Sequence, residues 1–216
     1  MSVLRRYAAT LAIVGLLLLP GAACAGIYDD MERALNDDDG DTVIALLQRG
    51  MDVDTVDQTG TTLLMVASRN GNVSLVDYLL KHRANVMKIN KYGDSAVMLA
   101  ALKGHLQVVK TLVAGGAEID PENGWTALIY AAFEGHTEVA RFLLQEGAEV
   151  DAQSPNGTTA LMVAARNGQL ETVKLLLEEG ADIGIANQDG GTALSLAVAA
   201  GKDEVAELLR KAGAGQ

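Results

Sequence analysis

Residues 157–180 read GTTALMVAARNGQLETVKLLLEEG, and this stretch contains the structural unit that decides the fold. Thr159 precedes an apolar run, and a threonine in that place can cap the first turn of a helix. Leu161, Ala164 and Ala165 follow at the three- and four-residue spacing of one buried helix face. The first half of the stretch therefore predicts a short helix with one apolar stripe.

The second half of the stretch predicts another helix. Gly168 separates the two, and residues 170–178 carry Val173, Leu176 and Leu177 on the face that should meet the same core. Gly180 ends this helix, since glycine adopts the left-handed turn without strain. The polar residues that follow suit an extended turn. One unit is thus a helix, a turn, a second helix and a hairpin-like loop.

The same unit recurs along the chain. One series of glycines has intervals of 33, 31, 33 and 33 residues: Gly60, Gly93, Gly124, Gly157 and Gly190. A second series follows eleven residues behind it: Gly71, Gly104, Gly135, Gly168 and Gly201. Each copy opens with a hydroxyl side chain: Thr62, Ser95, Thr126, Thr159 and Thr192. A period of 20 to 50 residues is typical of a solenoid.

One copy resembles the ankyrin repeat in most of its motifs. They are Gly124-Trp125-Thr126-Ala127-Leu128, Ala131-Ala132, Gly135-His136, Leu143-Leu144 and Gly147-Ala148-Glu149-Val150-Asp151. The resemblance implies an all-α ankyrin repeat solenoid of helix-turn-helix units joined by β-hairpin-like loops. We expect a signal peptide over 1–25 and one repeat domain over 26–216. Its repeats are a degraded one at 26–56 and five at about 57–89, 90–120, 121–153, 154–186 and 187–216.

The copies depart from the family pattern in two ways. None keeps the Pro or the His of the family's Thr-Pro-Leu-His start, which removes a helix-initiating proline and a set of hydrogen bonds between helices. The loop before Gly124 is two residues shorter than the others and contains Pro121. We therefore expect a changed hairpin in that loop.

The N-terminus has the pattern of a secretory signal peptide. Arg5 and Arg6 precede an apolar run, and small residues follow it, so we expect cleavage between Ala25 and Gly26. Two alternatives are an uncleaved anchor, for which the apolar run is short, and lipid attachment at Cys24. The expected location is periplasmic or secreted, with a lipid anchor at Cys24 as the lesser alternative.

The net charge of the chain disfavours one class of partner. Without Arg5 and Arg6 the chain keeps 15 basic residues against 28 acidic ones, a net charge of −13. This balance disfavours nucleic acid, whose phosphates are neutralised by Lys and Arg. We expect no membrane span after cleavage, and a monomer.

The sequence contains no catalytic, cofactor-binding or metal-binding pattern that we recognise. His105 and His136 occupy the Gly-His position of the repeat and His82 ends a second helix, so all three have structural interpretations. The acidic run over residues 37–41 has Leu at both the first and the twelfth position of a calcium loop, where oxygen ligands are needed. We interpret it as a solvated turn. We therefore predict that the protein is not an enzyme and that it carries no cofactor.

What the resemblance does imply is a concave surface, made of the hairpin tips and the first helices, that binds a partner protein. Carrying its positions over gives the candidate strip: Arg69, Tyr92, Leu102, Lys103, Trp125, Phe133 and Arg166. Interface hot spots are enriched in Trp, Tyr and Arg. The alternative is that Trp125 and Phe133 pack locally to cover a short hairpin.

The chain also resembles the small periplasmic ankyrin proteins of Gram-negative bacteria. Some of these are linked to protection against oxidative damage, and others to neutralising a toxic exported enzyme. The expected function is a non-enzymatic protein-binding module of the periplasm. The alternatives are an inhibitor or immunity protein for an exported toxic enzyme, or a factor in oxidative-stress defence.

Overall fold

The computed structural model describes residues 30–31, 33–35, 37–121 and 124–213. Residues 30, 31 and 33–35 are helical. The further helices in chain order are α1 (Gly40–Gln48), α2 (Leu63–Asn70), α3 (Val73–Lys81), α4 (Ala96–Leu102), α5 (Leu106–Ala114), α6 (Ala127–Glu134), α7 (Thr137–Gln145), α8 (Ala160–Asn167), α9 (Leu170–Glu178), α10 (Ala193–Ala199) and α11 (Asp203–Lys211). The described residues form no β-strand beyond isolated bridges, so the fold is the predicted all-α repeat solenoid. The expected signal peptide lies outside the described residues.

The predicted capping side chains begin the first helices. Thr62, Ser95, Thr126, Thr159 and Thr192 each accept a hydrogen bond from the N–H three residues later. That bond satisfies one of the N–H groups that a helix leaves without an internal partner. The sequence therefore fixes where these helices start.

The core runs between the helices as one continuous cluster. The first helices, α2, α4, α6, α8 and α10, pack against one another more extensively than the second helices do. Their buried alanine pairs, such as Ala131-Ala132 and Ala164-Ala165, let the helix axes approach closely. The predicted stripe of Leu161, Ala164 and Ala165 is buried as expected. Because the first helices lie closer together, the stack curves towards them, and their exposed side is the concave one.

Four of the hairpin loops are closed by the same device. In each, the residue three before the glycine hydrogen bonds through its backbone N–H to the carbonyl oxygen one residue after that glycine. The side chain of that same residue accepts a backbone N–H in the loop. These residues are Asp57, Asn90, Ser154 and Asn187. A short polar side chain is preferred there because it reproduces the hydrogen bonds of a turn.

The loop before Gly124 lacks this device. Pro121 takes the equivalent position, and proline has neither the N–H nor a polar side chain. Gly124 also lies outside the left-handed region that Gly60 and Gly157 adopt, with φ of 78° and 77°. The described ends of this loop therefore differ from the other hairpins, as expected; residues 122–123 at its tip lie outside the described residues.

Candidate functional site

The concave side carries the candidate strip, and the structure places its members unequally. Tyr92, at the tip of its hairpin, is 46% exposed. Lys103 and Arg166, at the C-terminal ends of first helices, are also exposed, and Arg69 is half-buried. These four side chains can reach a partner.

Leu102 corrects the sequence interpretation. We expected it on the exposed strip, but it is only 7% exposed. Leu102 ends α4, against which the next first helix, α6, packs. Leu102 belongs to the framework and not to the surface.

Trp125 and Phe133 lie between these two cases. Both are half-buried and pack against the core. The Trp125 ring lies 5.8 Å from the ring of Tyr130, at an angle of 56°. Each of the two rings therefore presents only part of its surface to solvent. This geometry supports the local-packing alternative for part of each ring.

Tyr130 and Asp94 form a polar contact that the sequence interpretation missed. The Tyr130 hydroxyl donates to the Asp94 carboxylate at 2.5 Å, and Asp94 is only 2% exposed. A carboxylate buried this deeply requires hydrogen bonds. The signal was available: a tyrosine stands where the other repeats have Val66, Leu99 and Val163.

His105 and His136 have the structural role that their position predicted. The Nε2 atoms lie 3.1 Å from the carbonyl oxygens of Arg69 and Leu102, at the end of the preceding first helix. Each imidazole thus satisfies a carbonyl group that the helix leaves without an internal donor. His82 ends α3, where its ring stacks on Tyr78 at a centroid distance of 3.9 Å.

The acidic run is also structural. Asp39 caps α1, and the hydrogen bond from the Thr42 hydroxyl holds the pKa of Asp39 below its ordinary value. No group of three or more His, Cys, Asp or Glu in the described part of the chain could hold a metal ion. The described helices include none long and apolar enough to cross a membrane.

Asp120, on the shortened loop, is half-buried and has a displaced pKa. Its Oδ2 accepts the Glu149 N–H at 2.7 Å. Burial raises the pKa of Asp120 above its ordinary value, more strongly than that hydrogen bond lowers it. Asp54 and Asp151 make the same contact with the following repeat. The row of carboxylates links consecutive hairpins.

Comparison with known proteins matches this architecture. The family model for ankyrin repeats (3 copies) matches residues 31–123, 89–154, 116–187 and 146–215. The chain belongs to the ankyrin repeat family. Ankyrin repeats mediate protein–protein interaction, and this family consists typically of non-enzymatic interaction modules.

Curated relatives share the repeats and little else. The ankyrin chain is 38% identical over 91 residues to the B-cell lymphoma 3 protein homolog of Mus musculus, covering 42% of this chain and 20% of that protein. It is 38% identical over 68 residues to palmitoyltransferase AKR1 of Lachancea kluyveri, covering 32% of this chain and 9% of that protein. The chain therefore spans a fifth or less of the length of these relatives, and the similarity is one of repeats.

Proposed function

We propose that this ankyrin repeat protein is a non-enzymatic binding module of the bacterial periplasm that holds a partner protein on its concave surface. The observation that carries the proposal is the strip itself. Tyr92, Lys103 and Arg166 are exposed on the side towards which the stack curves, and two half-buried aromatic rings lie between them. Partly exposed aromatic residues beside arginine are the composition that interface hot spots favour.

Polar side chains between the repeats serve the fold, whereas those of the strip face solvent. The polar groups that could be taken for a catalytic site, His105 and His136, are engaged with carbonyl oxygens of neighbouring repeats. Removing either imidazole should therefore disturb the stack. Substitution of the exposed side chains on the strip should lower the free energy of unfolding less than removal of either imidazole.

The periplasmic part of the proposal is supported by the N-terminal sequence. Its basic start, apolar run and small residues before Gly26 match an export signal. Export is tested by measuring the mass of the protein recovered from the periplasm and from the cytoplasm of a Gram-negative host. A periplasmic fraction holding a chain that begins at Gly26 supports export, whereas an uncleaved chain in the cytoplasm contradicts it.

Site-specific crosslinking tests the binding surface. A photoreactive amino acid is placed at Lys103 or Arg166 on the strip, and at Lys110 or Lys174 on the second helices as matched controls. Lys110 is exposed and Lys174 is half-buried, and both lie on second helices of the same stack. We expect the strip positions to crosslink to one envelope protein that the control positions do not capture.

The opposite pattern contradicts the proposal. Equal capture from both faces, or capture from the second helices alone, would place the partner elsewhere.

Replacing Trp125 with Ala separates its two roles. A large loss of affinity with little change in melting temperature indicates a hot spot, and a large fall in melting temperature with intact binding indicates local packing.

A further inference from the structure

The hairpin over residues 81–93, hereafter the basic hairpin, differs in charge from the other four. It holds four basic residues and no acidic one: Lys81, Arg83, Lys88 and Lys91. The equivalent stretches at 48–60, 114–124, 145–157 and 178–190 each contain at least three acidic residues, and only the first of them contains a basic one. A basic segment in a chain of net charge −11 is a local reversal.

Arg83 occupies a backbone conformation that favours glycine. Its φ is 66°, and the equivalent residues Gly50, Gly116, Gly147 and Gly180 have φ between 85° and 100°. A side chain in the left-handed region is sterically strained. The other hairpins avoid that strain by placing glycine at this position. Backbone strain of this kind clusters at functional positions.

Met87 departs from a second structural rule. In the neighbouring hairpins the equivalent residue is Asp54, Asp120 or Asp151, whose carboxylate accepts a backbone N–H from the next repeat. A methionine offers no such acceptor. Met87 instead holds an apolar side chain that is 51% exposed.

The same hairpin exposes two more large apolar residues. Ile89 is 61% exposed and Tyr92 is 46% exposed. The adjoining loop is the one shortened by two residues and altered by Pro121, so it offers less chain to cover them. On the side of the preceding hairpin, Lys91 donates to the carbonyl oxygen of Gln58 at 2.6 Å. This carbonyl is neutral, so it does not cancel the positive charge of Lys91.

The acidic groups beside the basic hairpin are occupied. Asp54 accepts the Asn85 N–H, and its carboxylate also lies 3.9 Å from the Lys88 ammonium. Asp57 accepts two N–H groups of its own loop. Lys88 is thus partly neutralised, and Lys81 pairs with Asp77 at 2.6 Å. Arg83 and Lys91 are therefore the main source of positive charge at this surface.

We infer that the basic hairpin is the contact face for an acidic segment of the partner protein that inserts apolar side chains over Met87, Ile89 and Tyr92. The inference rests on the proposed function and gives the partner's chemistry. Charge complementarity at an interface selects partners and speeds association. Three departures from the repeat pattern fall within ten residues, each lowering stability or leaving apolar surface exposed. Such a cluster is typical of a functional surface.

The test uses a variant that restores the pattern of the other hairpins. The double variant Arg83→Gly/Met87→Asp removes the strained side chain and returns the carboxylate, so we expect a melting temperature at or above that of the unchanged protein. The matched control, Val73→Asp/Arg210→Gln, also removes one exposed apolar residue and one arginine, with the same change in net charge.

The probe is a random dodecapeptide display library selected on the full chain. We expect enriched peptides to combine Asp or Glu with Leu, Phe or Trp. The double variant should weaken their binding about tenfold or more, as the loss of a hot spot does, and the control should leave it unchanged. Binding should also weaken as salt concentration rises.

The outcomes separate the inference from the function on which it rests. Enriched peptides that bind the double variant equally well, but are lost on Arg166→Glu, overturn the inference and leave the proposed function standing. Basic or uncharged peptides overturn the inference as well. The absence of any enriched peptide counts against both. Binding of phosphatidylglycerol vesicles that depends on Arg83 and Lys91, without peptide binding, would replace the protein partner with a membrane surface.

Discussion

The stack has two edges that are built in opposite ways. At the turns between the helices of each unit, a glycine meets a side chain of the next repeat: Gly71 with His105, Gly104 with His136, Gly135 with Gln169 and Gly168 with Lys202. This contact recurs without interruption. At the hairpin edge, backbone bonds join the loops at Lys91 to Thr59 and at Gln188 to Asn156. Pro155 stands at the equivalent position of another loop and has no N–H to donate.

The difference shows which edge carries stability and which is free to change. The glycine edge packs side chain against backbone at distances that leave no room for a methyl group, so its composition is constrained. At the hairpin edge the carboxylates of Asp54, Asp120 and Asp151 join consecutive loops, but these loops differ in length, charge and turn chemistry. Variation at the second edge is tolerated because the first edge holds the repeats together.

The largest effect should follow from filling the glycine edge. A Cβ atom at Gly104 would lie 2.6 Å from His136 Nδ1, and the residue has a φ of 74°. We expect Gly104→Ala to lower the free energy of unfolding by about 3 kcal/mol, from overpacking and left-handed strain together. Urea denaturation with circular dichroism measures it.

Gly201→Ala is the control for that prediction. Gly201 has a φ of 66° and no atom within 4 Å of the added Cβ. Only the backbone cost should appear there, about 1 kcal/mol. Equal losses for the two variants would mean that the contact with His136 contributes nothing.

Next in size is the loss of a turn side chain from a closed hairpin. Asn90 is buried, and its Oδ1 accepts the N–H groups of Tyr92 and Asp94. We expect Asn90→Ala to lower the free energy of unfolding by about 2 kcal/mol, since the N–H groups of Tyr92 and of buried Asp94 lose their acceptor. Pro121→Ala, in the loop that lacks these bonds, should cost less than about 1 kcal/mol. A similar cost for both would show that the altered loop is closed as tightly as the others.

These comparisons also show what the sequence could predict. The repeat period and the capping side chains indicated the helices and their starting residues, because both depend on local spacing and local hydrogen bonds. The shortened loop was found by counting residues between glycines. Leu102 was misplaced because its burial depends on tertiary packing, which no local pattern encodes.

The contact between Asp94 and Tyr130 was missed for a similar reason. Asp94 and Tyr130 are 36 residues apart, and only the stacking of repeats brings them together. The basic hairpin was visible in the sequence, since its charge reversal appears when equivalent positions are compared between repeats. The strain at Arg83 requires the backbone φ and becomes evident only in the structure.

A smaller effect, of opposite sign, is expected at the left-handed position of the basic hairpin. Arg83→Gly should raise the free energy of unfolding by about 1 kcal/mol, because glycine adopts this φ without steric cost. The reciprocal change, Gly116→Arg, should lower it by a similar amount, since Gly116 has a φ of 88° and open space around it. Thermal melting of both variants measures the pair. A destabilised Arg83→Gly protein would mean that the arginine supports the fold after all.

The smallest effect concerns Asp120 on the shortened loop. Burial raises its pKa in the folded state. Its contribution to stability is therefore complete below the unfolded-state pKa, where the group is protonated in both states, and is lost as pH rises through the folded-state pKa.

An amide at position 120 does not titrate and keeps an oxygen that can accept the Glu149 N–H. Asp120→Asn should thus gain a fraction of a kcal/mol relative to the unchanged protein near pH 7 and lose that advantage near pH 3. Urea titrations at the two pH values measure the difference, and Asp151→Asn reports what the amide does to the equivalent hydrogen bond with Asp182. A constant difference at both pH values would show that burial of the Asp120 charge does not oppose folding.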